Sequence, residues 1–224
     1  MANLSPMAAN LGVKVTWESI CRHELCVPRD IEEKVWSIIE AHYCEPHRFY
    51  HTLQHIFDLI NVLSPLKSKI SDQNAILLAV VFHDIIYDPS SSRNEENSAL
   101  LFEELLSASL DKRLVEKVVK YIIATKSHKT SDQTDEDLLL FLDCDMSILG
   151  RSRDEYELYA RQIRQEYIHV DTILFNSGRS GFLKTVLANE GCIFITAEFQ
   201  LMMEKNAREN IKWEIDMLEN NGTT

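Results

Sequence analysis

The sequence predicts an all-α protein: a single-domain helical bundle over residues 16–224, preceded by a flexible N-terminus of residues 1–15. Three observations predict it. From Trp17 onward the apolar residues recur at three- and four-residue spacing, the period of a helix with one buried stripe. Six Gly and five Pro in 224 residues are too few for the turns of a β-sandwich or barrel. A hydrophobic content of 45% supports a sizeable core and excludes global disorder.

The helices follow in order. Arg29–Tyr43 puts Ile31, Val35, Ile38, Ile39 and His42 on one face. Leu53–Leu63 repeats the pattern with Ile56, Leu59, Ile60 and Leu63, until Pro65 closes it. Ser71–Tyr87 is apolar nearly all round, so it belongs in the middle of a bundle, with Ser71 or Asp72 as its cap. Asn94–Leu110 and Asp111–Thr125 are amphipathic, and Lys126–Asp135 is a polar loop. Thr134 or Asp135 caps the helix Glu136–Leu149, which Gly150 ends as a C′ residue. Arg153–His169 comes next, then Asp171–Asn189, broken near Gly178 and Gly181, and finally Thr196–Glu219. Gly191–Ile195 is a strand candidate too isolated to build a sheet.

Twenty-three Lys+Arg against 35 Asp+Glu leave a formal charge of −12. That excess excludes a surface for nucleic-acid polymers or anionic membranes, while leaving room for a small phosphorylated substrate. Five scattered cysteines with no CxxC pair point away from a disulfide framework, towards a reducing compartment and small apolar packing roles. The N-terminus does not read as a signal peptide, and the longest apolar run, Ala75–Phe82, cannot span a bilayer. A cytoplasmic location is expected. P-loop, Rossmann, GxSxG and HExxH patterns do not occur.

Metal-type ligands concentrate in three stretches. Arg48-Phe-Tyr-His-Thr-Leu-Gln-His55 puts His51 and His55 one helical turn apart. His83–Asp84 interrupts AILLAVVF–IIY, and Asp143-Cys-Asp145 follows the apolar run Leu138–Leu142. Each stretch alone is weak, since a lone core histidine is more often hydrogen-bonded than metal-bound. Buried at the ends of apolar helices, however, such groups are costly unless paired or metal-bound. Together they suit a divalent ion such as Mn, Mg, Ni, Fe or Zn.

This order of His, His-Asp and Asp resembles the HD superfamily of metal-dependent phosphohydrolases. HTLQH, FHDIIYD, NEENSA, ATKSH, DCDMSILG, EYELYARQIRQEY and FITAEFQLMMEKNAREN together resemble its small branch of predicted HD-domain phosphohydrolases, from about Arg29 to the C-terminus. The resemblance implies an all-α HD-type bundle that hydrolyses a nucleotide or other small phosphate ester with a metal-activated water. It makes His83 and Asp84 the doublet and Asp145 the last ligand, with Asp143 orienting a ligand through a hydrogen bond. The first ligand stays open between His51 and His55. His128 stands alone between Asp84 and Asp145, where binuclear members carry two histidines, so one ion per chain is expected.

Asp84, Tyr87, Glu95 and His128 are the candidates for proton transfer, and Arg48, Lys126 and Arg164 for phosphate binding. Their bland counterparts are a half-buried tyrosine, a helix-start charge, a solvated loop histidine and cations paired with surface carboxylates. Two other readings compete: an HD-fold di-iron oxygenase, and a non-catalytic domain that uses metal for stability or partner recognition. Met202, Met203, Trp213 and Ile215 are expected in the core, with a homodimer face as the alternative.

Overall fold

The computed structural model describes residues 6–188 and 191–220. Among the described residues the protein is all-helical, with ten α-helices and no strand. No helix there is long and apolar enough to cross a membrane. The chain forms two compact units, residues 1–142 and 143–224.

In the first unit, α1 (Pro6–Ser19) packs on α2 (Arg29–Tyr43) and α3 (Leu53–Leu63). The sequence reading expects no element before residue 16, so α1 is a correction. Ala9, Val13 and Trp17 are buried at four-residue spacing. Two of the three are short, which hides the stripe in the sequence and lets the helix lie close. A Cβ on Gly12 would come within 2.3 Å of the Phe57 ring. Residues 1–5 lie outside the described residues.

α4 (Gln73–Phe82) packs against α3, α5 (Asn94–Leu106) and α6 (Lys112–Ala124). Asp72 caps it by accepting from Ala75 N at 3.0 Å, and Asp111 caps α6 by accepting from Arg113 N at 2.9 Å. Pro65 does not end the chain's helical path after α3: it sits inside a 3₁₀ segment, Ser64–Lys69, as a proline can in a first turn. α7 (Glu136–Asp145) starts in the first unit with Leu138–Leu142 buried on every side. Its Asp137 carboxylate accepts from Ser71 N and Asp72 N, both at 2.8 Å, tying its start to the turn before α4.

Before α7, Lys120 Nζ bridges Asp132 and Asp135 at 2.8 Å each, and the Tyr121 hydroxyl donates to Asp135 at 2.7 Å. Partial burial works to raise the Asp135 pKa, but the hydrogen bonds from Lys120 and Tyr121 outweigh it and hold it below the usual range. Lys120 and then Thr134 depress Asp132. A depressed folded-state pKa contributes stability above the unfolded carboxylate pKa of about 3.9 and loses it as pH falls through the folded value. Urea melts from pH 6 to pH 2.5 should therefore show an acid-side loss of stability that is shallower in Asp135→Asn.

In the second unit, α10 (Ala197–Asn220) packs on α8 (Arg153–Glu166), α9 (Thr172–Leu187) and the 3₁₀ turn Met146–Gly150. Ser152 and Glu155 form a reciprocal capping box at the start of α8. Gly150 has no left-handed backbone. It is glycine because a Cβ would meet Met203 Cβ at 2.4 Å. α9 runs unbroken through Gly178 and Gly181, since packing on α10 outweighs two weak helix formers. The expected helix end at Asn189 lies outside the described residues. Gly191–Ile195 is irregular, not a strand. Its amides go to side chains: Ile193 N donates to Glu204 at 2.9 Å, and Ile195 N to Asp143 at 2.7 Å. On α10, Ile215 is buried, Trp213 lies under the Arg153 guanidinium, and Met202 is exposed.

Candidate metal centre

The site is built where α4 stops. No glycine or proline ends that helix, and each of its last four carbonyls has a partner. Ala79 O accepts from His83 N at 2.9 Å, Val80 O from His83 Nδ1 at 3.0 Å, Val81 O from the Tyr43 hydroxyl at 2.9 Å, and Phe82 O from Ile85 N at 3.2 Å. The chain then turns, leaving His83 buried and Asp84 partly open, its side chain 18% exposed.

The contact to Val80 O puts a hydrogen on His83 Nδ1. A carbonyl only accepts, so Nδ1 carries a hydrogen, and in the neutral ring Nε2 then presents its lone pair. That lone pair lies 3.3 Å from His55 Nε2 and 3.0 Å from Asp84 Oδ2. His55 Nε2 is 3.7 Å from the same oxygen, and His51 Nε2 is 3.9 Å from it. A hydrogen on His55 Nε2 could fill the gap between the rings, but the His83 lone pair would still face a carboxylate oxygen. A positive charge at their common centre satisfies all three. Donors held about 2.0–2.2 Å from a divalent ion stand about 3.0–3.5 Å apart at octahedral or tetrahedral angles. The separations of His83 Nε2 from His55 Nε2 and from Asp84 Oδ2 fall in this range, whereas His55 and His51 stand 3.7 and 3.9 Å from Asp84 Oδ2, beyond it; the Nδ1–carbonyl contact is the usual support of a metal-binding imidazole.

His55 lies in the first turn of α3, whose cap, Thr52, accepts from Gln54 N at 3.3 Å. It is 3% exposed, and Ile56, Leu59, Val62 and Leu63 are buried with it. His51 precedes the helix and stacks on Tyr87 at 4.1 Å between ring centres. Asp145 is the last residue of α7, carried on the same unbroken helix as Leu138–Leu142.

Arg48, expected to bind phosphate, is placed differently: its side chain is fully buried. Nη1 donates to Asp84 O at 2.7 Å and His51 O at 3.2 Å, Nη2 to Ile85 O at 2.8 Å, and Nε to Glu45 at 2.9 Å. Its guanidinium also lies over the Tyr43 and Tyr87 rings. One cation thus fixes the backbone of both ligand stretches, and none of it reaches solvent. The sequence shows no sign of this, because every acceptor except Glu45 is a backbone oxygen distributed by the turns.

The other candidates separate. Lys126 Nζ is bonded to Glu96 Oε1 and to Ser92 O, and Glu96 Oε2 is buried without a hydrogen-bond partner among the described residues. Glu95, in the first turn of α5, makes no side-chain hydrogen bond or ion pair there. His128 is half-buried with a left-handed backbone, φ 49°. Within the second unit, Arg164 is spent on Tyr167 O, Val170 O and the Thr172 hydroxyl, closing the end of α8. Asp143, expected to orient a ligand, instead accepts from Ile195 N, Thr196 N and the Thr196 hydroxyl and so anchors the start of α10. Burial raises its pKa against those three bonds. Of the cysteines, Cys21 and Cys144 pack in the interior, whereas Cys26, Cys44 and Cys192 are exposed.

Comparison of the chain with protein-family models, with curated proteins and with solved structures finds no match.

Proposed function

We propose that this chain is a metal-dependent phosphohydrolase of the HD type, acting on a nucleotide or another small phosphate ester. The observation that carries the reading is the gathering of His83 Nε2, His55 Nε2 and Asp84 Oδ2 within 3.0–3.7 Å of one another, with both histidines buried and His83 Nδ1 turned to Val80 O. His55, His83, Asp84 and Asp145 would hold one divalent ion, with His51 at the open side beside Tyr87. Such an ion supplies positive charge for phosphoryl oxygens and acidifies water at neutral pH.

The chain's own groups have definable parts around it. Asp84, partly open, is the carboxylate placed to take a proton from an attacking water. His51 and Tyr87, whose rings stack, would offer an imidazole nitrogen and a phenol hydroxyl to a substrate oxygen. Glu95 and His128 remain candidates for protonating the leaving oxygen. Lys126 would reach phosphate only by exchanging Glu96 for it.

The test is metal content of the purified protein, and of Asp145→Ala, before and after chelation. Phosphate release is followed on mono- and diesters with Mn, Mg, Ni, Fe or Zn restored singly. The expected result is one ion per chain and turnover in the parent, both lost on chelation and in the variant. A chain that takes up none of these ions would overturn the ligand set. Stoichiometric metal with no turnover on any ester would overturn the hydrolase reading.

A further inference from the structure

The second unit has a cleft that the metal site does not use. It opens between α8 and α9, has a volume of about 410 Å³, and is walled by Ile163, Tyr167, Leu174, Phe175 and Phe182. That is the size of a small-molecule pocket with a mostly apolar wall. Leu174 and Phe182 are 68% and 50% exposed, a costly arrangement for surface that nothing covers.

Val170, Gly178 and Arg179 complete the lining. A Cβ on Gly178 would meet nothing within 4 Å, so the cleft exists partly because that side chain is missing. Arg179 is held rigidly. Nε donates to Glu214 Oε1 at 2.9 Å, and Nη2 to the Tyr159 hydroxyl at 3.1 Å and to Glu214 Oε2 at 3.3 Å. Its guanidinium lies over the Tyr159 and Phe182 rings, and its side chain is only 10% exposed. Nη1 is the nitrogen left without an acceptor among the described residues.

We propose that this cleft binds a small amphiphilic carboxylate, with its apolar tail on Leu174, Phe175 and Phe182 and its carboxylate accepting from Arg179 Nη1. The guanidinium is pre-organised by Glu214 and Tyr159, so little side-chain freedom is lost on binding. An arginine can accept a second carboxylate on its free edge, and aromatic walls raise the strength of that contact by excluding water. The apolar wall supplies affinity, and the lone donor nitrogen selects an anionic head over a neutral one.

Decanoate, below its micelle concentration, is the probe, with decanol as the uncharged control and calorimetry as the readout. Gly178→Leu fills the cleft while replacing a poor helix former with a good one, so it should melt no lower than the parent. Leu174→Glu, at an exposed position, places a like charge beside the proposed carboxylate. Saturable binding of one decanoate per chain is expected, about tenfold or more tighter than decanol, and weakened at least about tenfold by either variant. Unsaturable binding, retention of affinity in Gly178→Leu, or equal affinity for decanol would each overturn the proposal.

Discussion

Asp84→Asn should abolish phosphate release and metal retention without lowering the stability of the metal-free protein. Asn keeps the shape of Asp84 and replaces one acceptor oxygen with a donor nitrogen. In the parent, Oδ2 lies 3.0 Å from a His83 nitrogen whose hydrogen is on the opposite side of the ring. With the amide turned towards it, Asn donates to that lone pair, so the metal-free variant melts at or above the metal-free parent. Metal affinity falls by about a hundredfold or more, beyond the loss usual for a supporting residue. Turnover falls by about a thousandfold or more, because charge stabilisation and the proton acceptor go together. An ion at a hundred times its Kd stabilises the parent by about 2.7 kcal/mol, and the variant loses that gain. Paired melts with and without metal check both signs at once. A metal-free variant that unfolds several degrees lower would mean that Asp84 is held by an imidazolium, which needs no metal.

Arg48→Lys gives the second large effect, and it separates positioning from substrate binding. Lysine keeps the charge but cannot serve Asp84 O, His51 O, Ile85 O and Glu45 from one planar group. Leaving two or three buried carbonyls unpaired costs about 1–3 kcal/mol each at most, so a loss on the order of 3 kcal/mol is expected. Because those carbonyls belong to the segments carrying His51 and Asp84, metal affinity should drop about 10–100-fold. With metal saturating, the KM for the ester should hold while kcat falls, since the guanidinium has no exposed surface with which to meet substrate. A rise in KM alone would instead restore the phosphate-binding role that its sequence position suggests.

The two positions differ in how far they could be read beforehand. Asp84 stands out in the sequence because a charged pair interrupts an apolar run, and burial of such a pair is costly in any fold. Arg48 stands out only as a cation near histidines, and its partners are main-chain oxygens whose direction depends on where α4 stops. Lys126 and Arg164 carry the same sequence-based expectation of a phosphate role, and each is held by neighbouring protein acceptors. Charge is visible in a sequence; what neutralises it is not.

The helices show the same division. Arg29–Tyr43, Leu53–Leu63 and the start at Glu136 were legible residue for residue, because a one-sided apolar stripe and a capping carboxylate are local signals. α1 is not legible in the sequence because Ala9 and Gly12 register as weakly apolar, yet the missing side chain of Gly12 is what lets α1 lie against Phe57. The break expected at Gly178 and Gly181 did not occur, because packing against α10 outweighs their propensity.

The sequence by itself determined that this chain is helical, where most of its helices begin, and which side chains carry metal-type donors. The periodicity of burial and the cost of burying a charge act within a few residues, so both are written in neighbouring letters. Only the tertiary structure decided which carbonyl His83 Nδ1 meets, the burial of Arg48, the anchoring role of Asp143 and the cleft beside Arg179. Each depends on which backbone acceptor or empty space a fold brings within about 3 Å of one atom, and no local pattern encodes that distance.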